Sequence, residues 1–570
     1  MSTSGRKGSI AMTERSRALV ETTALSTSSS PDGMAPPVQP IERPFIAAPP
    51  FSFPTASDTP TEASSVTMTP ESSCDQTNFG SNLIASPWRS PTNRAAGRPP
   101  SNFVSPIGTP LHRSLHNLQH YLEEGGHSTT LHVRDTWLPL TESRNGNMVY
   151  AAFHNLNAMI GYQALFLPFA FIYLGWTWGL TVLCLAFTWQ MYTKWQLIML
   201  HETEPGKRIR NYVELSQEAF GQTIGFHTTI PAVLNLTVGT SIGLVVVGGS
   251  ALELFYLTVC HKCVDNPLSM IEWCIVFSAL CLILAQLPNM NSIASVSLAG
   301  ALMAVSYTTL IWMISVFKKR PQDISYSLAT KGDSPLVTTV AVLNAIGIIT
   351  FAFRGHNLVL EIQGTLPSTL KEPSSISMWK GAKLANLVLV FCFFPLAIGG
   401  YRGFGNKMLN SGILYSLQAA DLSKTARGFL ALTFLFVMFS CLSSFQIFSM
   451  PVFDMIEQFY TGKWNKKCSP CVRLFSRSVY VLVVFFMAIA FPFLTSLAGL
   501  IGGLNSIPVT FVIPCFMWLS IRRPNKRSFT WCLNWFLAIF GIITSCLVSA
   551  ASVGVIIQRG IKLEFFKPHA

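Results

Sequence analysis

From about residue 149 onward, apolar residues run in long blocks separated by short polar connections, and the blocks show no polar face. The segments 176–200, 293–317, 428–451 and 532–557 are the clearest. A helix of roughly 20 apolar residues crosses the hydrocarbon core of a bilayer. A helix buried in a soluble protein usually keeps a polar stripe on one side. The pattern therefore predicts an all-α, polytopic membrane protein. About eleven transmembrane helices can be drawn, at 149–173, 176–200, 226–256, 270–287, 292–317, 338–361, 379–401, 428–452, 479–495, 499–520 and 532–557.

Residues 1–135 differ in kind. They are rich in Ser, Thr, Pro and Gly, and their apolar content is too low to offset the entropy of ordering. They read as a disordered tail, with 136–570 as the transmembrane transporter domain. Ser30, Thr59, Thr69, Ser86, Ser90, Ser105 and Thr109 each precede a proline. Disorder-prone composition accounts for them. Kinases acting on a cytosolic tail are the alternative reading, each phosphate adding about −1.5 to −2 charge.

Composition sharpens the class. Charged residues make up 12% of the 570, half the share usual in soluble domains. The net charge of +13 does not imply nucleic acid, because the basic residues sit between spans and form no single patch. Lys207, Arg208 and Arg210, then Lys463, Lys466, Lys467, Arg473 and Arg477, then Arg522, Arg523, Lys526 and Arg527 all fall in connections on one side. With that side cytosolic, the tail is inside and an odd number of spans puts the C-terminus outside. Lys318, Lys319 and Arg320 lie on the wrong side for this rule. Membrane lipid is then a partner, beside any kinases acting on the tail, and nucleic acid is not.

The orientation also disposes of a metal motif. Cys260 and Cys263 could pair with Cys468 and Cys471 as zinc ligands only if all four converged within about 2.3 Å of one ion. The first pair lies between spans three and four, the second between spans eight and nine, on opposite sides of the bilayer. No metal or cofactor is expected, and no nucleophile–base constellation suggests an enzyme.

Spans one to five (149–317) and six to ten (338–520) are similar in length, and each half holds an odd number of spans. That is the arithmetic of a 5+5 inverted repeat, with one extra helix at 532–557. Transporters of this build place the substrate between interrupted helices near the midplane. Both leading helices carry breakers, Gly161 and Pro168 in span one and Gly347 and Gly355 in span six, and the candidate substrate-binding residues beside them are Asn157, Ile160, Gly161 and Tyr162 with Phe351, Ala352, Arg354 and Gly355. Unwound backbone offers N–H groups to a carboxylate and C=O groups to an ammonium, the two ends of an α-amino acid. Close helix packing is the competing use of such glycines.

Arg354, His356 and Glu361 fall within eight residues of span six. Ionisable groups at such depth must face the protein interior or water. Glu361 and His356 are the candidates for a coupling-proton site. The alternative is a structural Arg354–Glu361 ion pair. Ser440, Ser443 and Ser444 share a face of span eight and could bind a cation, or simply join helices. Glu253 and Glu272 are placed near span ends, Asp454 and Glu457 at the cytosolic boundary, and His154 at the interface.

The segments 138–147 (Leu138-Pro139-Leu140-Thr141-Glu142-Ser143-Arg144-Asn145-Gly146-Asn147), Leu167-Pro168, Leu174-Gly175-Trp176, 285–289 (Ala285-Gln286-Leu287-Pro288-Asn289) and 355–365, opening on Gly355-His356-Asn357, resemble the plant amino acid/auxin permease family. The branch they resemble is the lysine/histidine-transporter-like one with a long N-terminal tail. The resemblance covers about 135–560. It implies the amino acid–polyamine–cation (LeuT-like) fold, proton coupling, a plasma-membrane location in a plant cell, and an amino acid backbone held around Ile160-Gly161 and Phe351–Gly355. Two departures stand out. Tyr162-Gln163 and Arg354 occupy places where members often carry small residues, and the added charge favours a substrate with an extra carboxylate. The expectation is thus a secondary symporter for neutral or acidic amino acids, with sodium as the other possible coupling ion. A non-transporting amino acid sensor that signals through its tail is the alternative.

Overall fold

The computed structural model describes residues 138, 144, 146–203, 208–260, 268–287, 292–319, 323–328, 334–369, 372–490 and 494–559. The expected tail, with its Ser-Pro and Thr-Pro pairs, lies outside the described residues, as does Cys263.

Among the described residues, all regular structure is helical. In chain order the helices are α1 (Met148–Met159), α2 (Leu167–Leu200), α3 (Tyr212–Phe220), α4 (Gln222–Val259), α5 (Met270–Ala285), α6 (Ala294–Phe317), α7 (Pro335–Ala352), α8 (Val359–Gly364), α9 (Ser374–Phe404), α10 (Ile413–Gln418), α11 (Lys424–Trp464), α12 (Pro470–Ala490), α13 (Leu494–Ile501), α14 (Ile513–Arg522) and α15 (Phe529–Arg559). Nine long stretches among the described residues are apolar enough to cross a membrane, and α5 is a shorter apolar helix. With α1 and the turn after it taken as the first crossing, and α2 divided at its kink, all eleven expected spans correspond to helix.

Local chemistry explains where these helices stop. Asn147 caps α1, its side chain accepting from the Tyr150 N–H at 2.8 Å. The helix ends because Ile160 and Gly161 are extended, and the chain re-enters a tight 3₁₀ turn at Tyr162–Phe166 before α2. Spans one and two are joined with no loop at all. The turn between them is a single residue, Gly175, at φ +68° and ψ −171°, a region that is essentially glycine's own and costs a side-chain-bearing residue about 1–3 kcal/mol.

In the sixth span, α7 is capped by Ser334 and opened by Pro335, and it ends at Ala352. Gly355 then takes φ +104°, and a 3₁₀ turn at His356–Leu358 leads into α8. The tenth span runs through two π-helical segments, Gly502–Ser506 and Pro508–Val512, between α13 and α14. Side chains from elsewhere bond carbonyls within them, Ser545 donating to Gly503 at 2.7 Å and Tyr212 to Val509 at 2.7 Å.

The long helices outrun the expected spans. α11 has 41 residues, about 60 Å at 1.5 Å per residue, twice the thickness of a hydrocarbon core. It stops at Asn465, which adopts the left-handed conformation at φ +48°. α12 begins at Pro470, earlier than the 479 expected, because its first turns carry arginines that hydropathy discounts.

Packing is between helix pairs distant in sequence. α11 lies along α4 and α6, α9 along α1 and α6, and α15 along α7 and α13.

Three placements differ from expectation. His154 is not interfacial but fully buried, its ring 4.1 Å from Tyr150 and 4.7 Å from Phe153, because α9 covers that face of α1. Asp454 and Glu457 are buried rather than solvated. Arg477, counted above among topology-setting charges, is also fully buried. It donates to the carbonyls of Ala285 at 2.8 Å and Leu287 at 2.5 Å and pairs with Glu457 at 3.1 Å. Arg473 meets the same carboxylate at 2.6 Å. The cluster ties α5, α11 and α12 together at one end.

Candidate functional site

The breaks in spans one and six face each other, and Arg354 fills the space between them. Its guanidinium is 1% exposed. One terminal nitrogen donates to Thr240 of α4 at 2.6 Å and to the Tyr162 hydroxyl at 3.3 Å. The other donates to Gln163 Oε1 at 2.6 Å. The rings of Tyr162, Phe351 and Phe448 enclose it, with centroids 4.6, 5.1 and 5.0 Å from Cζ. Its Nε has no hydrogen-bond partner, and no carboxylate pairs with it among the described residues. The charge is thus neutralised only by dipoles and aromatic faces.

Gln163 links the two breaks. While its Oε1 accepts from Arg354, its Nε2 donates to the Met159 carbonyl at 2.6 Å, a group released by the end of α1. Ile160, Gly161 and Gly355 provide the open backbone beside this bridge, and Ala352 ends the half-helix that leads to it. An L-side chain at Gly161 would press on Gln163 and on Arg354.

Glu361 makes no ion pair with Arg354. It sits beyond the break, 3% exposed, with Oε2 unpartnered and Asp454 of α11 as its charged neighbour. Arg354 lies in the break itself, after α7 has ended at Ala352, whereas Glu361 lies in α8, with the left-handed Gly355 and the 3₁₀ turn at His356–Leu358 between them. Asn357 reaches Thr237 of α4 at 3.2 Å. His356 is fully buried, with Nε2 3.0 Å from the Gln190 carbonyl and 3.4 Å from Thr193 Oγ1, while its Nδ1 has no partner.

Asn157 turns away from Arg354 toward the serines of α11. Its amide donates to Ser443 at 2.7 Å and to Ser297 at 3.3 Å. Ser444 donates to Asn157 Oδ1 at 3.0 Å and lies 3.2 Å from its carbonyl oxygen. Ser443 also donates to the Val296 carbonyl at 2.8 Å. Ser440 is buried nearby in sequence, but its hydroxyl stands outside this group without a partner. Two sets of residues expected to act separately, one in span one and one in span eight, are therefore joined through Asn157.

Gln163 was noted in the sequence only as a bulky departure; Thr240, which accepts from Arg354, and the fully buried Lys194 were not singled out. Lys194 could have been found, since a lysine inside the apolar run 176–200 is itself a functional signal. Thr240 could not, because nothing local distinguishes it from neighbouring small residues of α4.

Residues 144–558 match the family model described as transmembrane amino acid transporter protein. Lysine histidine transporter-like 8 of Arabidopsis thaliana is 51% identical over 82% of this chain and 90% of its own length. Lysine histidine transporter-like 7 of the same plant is 40% identical over 78% and 92%. GABA transporter 1, also from Arabidopsis thaliana, is 26% identical over 74% and 92%. The breadth of the family match and the identity to these relatives settle the assignment: the chain belongs to the transmembrane amino acid transporter family.

Proposed function

We propose that this chain is a proton-coupled symporter that imports neutral or acidic amino acids across a plasma membrane, with its N-terminus in the cytosol and its C-terminus outside. The observation that carries the specificity is Arg354. A buried guanidinium between two opened helices, lacking a carboxylate of its own, suits a ligand that brings one. Its charge opposes a lysine or protonated histidine side chain, whatever the names of the relatives suggest. The α-carboxylate or a side-chain carboxylate would take the place beside Arg354 Nε. The open backbone at Ile160-Gly161 and Phe351–Gly355 would hold the other end.

Two further features support the details. Glu361 and His356 supply buried groups able to exchange a proton. The serines of α11 are already engaged with Asn157, which weighs against a sodium ion at Ser443 and Ser444. For orientation, Cys260 is disulfide-bonded. Disulfides persist in oxidising surroundings, which suits an external face for the connection after α4.

The test is uptake of a panel of labelled amino acids into cells expressing the chain, at acidic and neutral external pH, with Glu361→Gln alongside. Acid-stimulated uptake of neutral or acidic amino acids supports the reading. Uptake restricted to lysine and histidine would overturn the specificity. Binding without uptake at either pH, despite surface expression, would favour a sensor.

A further inference from the structure

α2 holds a further buried basic residue, with fewer partners than Arg354 or Arg477. Lys194 is fully buried, and the only hydrogen-bond partner of its Nζ among the described residues is the Met159 sulfur. A thioether is a weak acceptor. An ammonium sealed from water with no oxygen partner costs several kcal/mol. Arginine must tolerate such a place as a cation, but lysine can leave its proton behind.

The surroundings contain little that would hold a fixed charge. From the turn before α8 comes His356, the electrostatic neighbour of Lys194, clamped on the same face of α2 by Gln190 and Thr193. From α1 comes Met159; the titratable His154 of that helix lies against Tyr150. α9 offers Asn386, which accepts from Gln190 at 2.7 Å, and its charged residues sit toward its ends. α7 has no charged residue. Arg354 points into Tyr162, Gln163 and Thr240, and Glu361 faces Asp454.

Met159 is the last residue of α1 before the chain opens at Ile160. Any rocking of α1 against α2, the kind of movement by which such transporters alternate, separates Nζ from its sulfur contact and admits water to it.

We propose that Lys194 is the site that carries the coupling proton, with His356 as the second member of a pair that holds one proton at a time. The neutral amine belongs to the arrangement described here, in which Lys194 is buried against Met159, and the ammonium to one in which α1 has moved away. The Nζ lone pair takes a proton from water reached on the acidic side and returns it to cytosolic water. No other bond forms or breaks. This rests on the symport reading above and shifts the proton from Glu361 to the seam between α1 and α2.

The experiment uses the full chain in liposomes, with labelled alanine and glutamate as neutral and acidic probes. Two quantities are read: accumulation driven by an imposed pH gradient, and counterflow exchange without a gradient. In Lys194→Met and Lys194→Arg, accumulation is expected to fall to the level reached without a gradient, while counterflow persists at a reduced rate. Lys194→Arg is decisive, since it keeps the charge but cannot release the proton. Wild-type accumulation in Lys194→Arg overturns the proposal. So does joint loss of accumulation and counterflow in both variants, which would make Lys194 structural. If the unmodified chain exchanges either probe but ignores the pH gradient, proton symport fails and the proposal falls with it. If it exchanges neither, import of these amino acids fails first.

Discussion

Arg354 donates to Gln163 at 2.6 Å across the point where the first and sixth spans both lose their helix. The same glutamine holds the Met159 carbonyl at the end of α1. One side chain therefore reports to both halves of the molecule, and a ligand that draws Arg354 away from it would loosen α1 at the same time. If Arg354 receives the substrate as proposed, binding and opening are linked through a bond that can be removed singly.

Replacing Arg354 by glutamine removes the charge and keeps a polar side chain. Hydrogen bonds to a charged group contribute about 1.5–3 kcal/mol, so the half-saturating concentration of glutamate should rise roughly ten- to a hundred-fold. Alanine, which presents a single carboxylate, should be affected less if its α-carboxylate is held by the open backbone. Concentration dependence of uptake for both, corrected for surface expression, checks this. Equal loss for the two substrates would assign Arg354 to the α-carboxylate instead of selectivity.

Gly355 is the residue on which the sixth-span break turns. At φ +104°, an alanine is strained by roughly 1–2 kcal/mol, and its Cβ would come within 3.3 Å of the Ala158 carbonyl oxygen. Gly462 near the end of α11 is the control: it is helical, and a Cβ there meets nothing within 4 Å. Gly355→Ala should lower the melting temperature in detergent and reduce uptake. Gly462→Ala should raise helix stability by up to about 1 kcal/mol and leave uptake unchanged.

Glu457 holds two arginines, and Arg477 has no exposure with which to seek solvent. Truncating one partner of a buried ion pair typically costs about 3–5 kcal/mol, because the surviving charge stays desolvated. Glu457→Ala should therefore be among the most destabilising single changes in the chain. Adding Arg477→Met should recover part of the loss, even though it forfeits the bonds to the Ala285 and Leu287 carbonyls. Thermal melts of the two variants decide it; a double variant less stable than the single would mean that those carbonyl bonds outweigh the stranded charge.

The readable parts of this molecule were those governed by one length or one residue type. Apolar runs of about twenty residues located the spans, and glycines at 161 and 355 located both breaks, because bilayer thickness and backbone strain act locally. What escaped depends on pairs far apart in the chain. Asn157 meets Ser443 across 286 positions, and Arg354 chooses Thr240 over the nearby Glu361 because Gly355 turns the chain between them. The extension of α11 to Trp464 escaped for another reason. Beyond Pro451 the helix leaves its apolar stretch but remains regular, stopping only where Asn465 adopts a left-handed conformation, and hydropathy does not register helix outside the apolar layer.

The Asn157–serine group also bears on the choice of coupling ion. A bound cation needs several oxygen lone pairs directed at one point. Ser443 spends its proton on the Val296 carbonyl and one lone pair on the Asn157 amide, and that amide directs N–H donors into the space a cation would use. Exchanging sodium for choline in the external medium should therefore leave uptake unchanged at constant pH. Asn157→Ala should not create a sodium requirement; it should reduce uptake and lower the melting temperature, since it leaves Ser443, Ser444 and Ser297 without shared bonds each worth about 1 kcal/mol. Uptake that rises and saturates with sodium concentration in the unmodified chain would mean that Asn157 rotates out of this group during the cycle, and that the serines serve a cation after all.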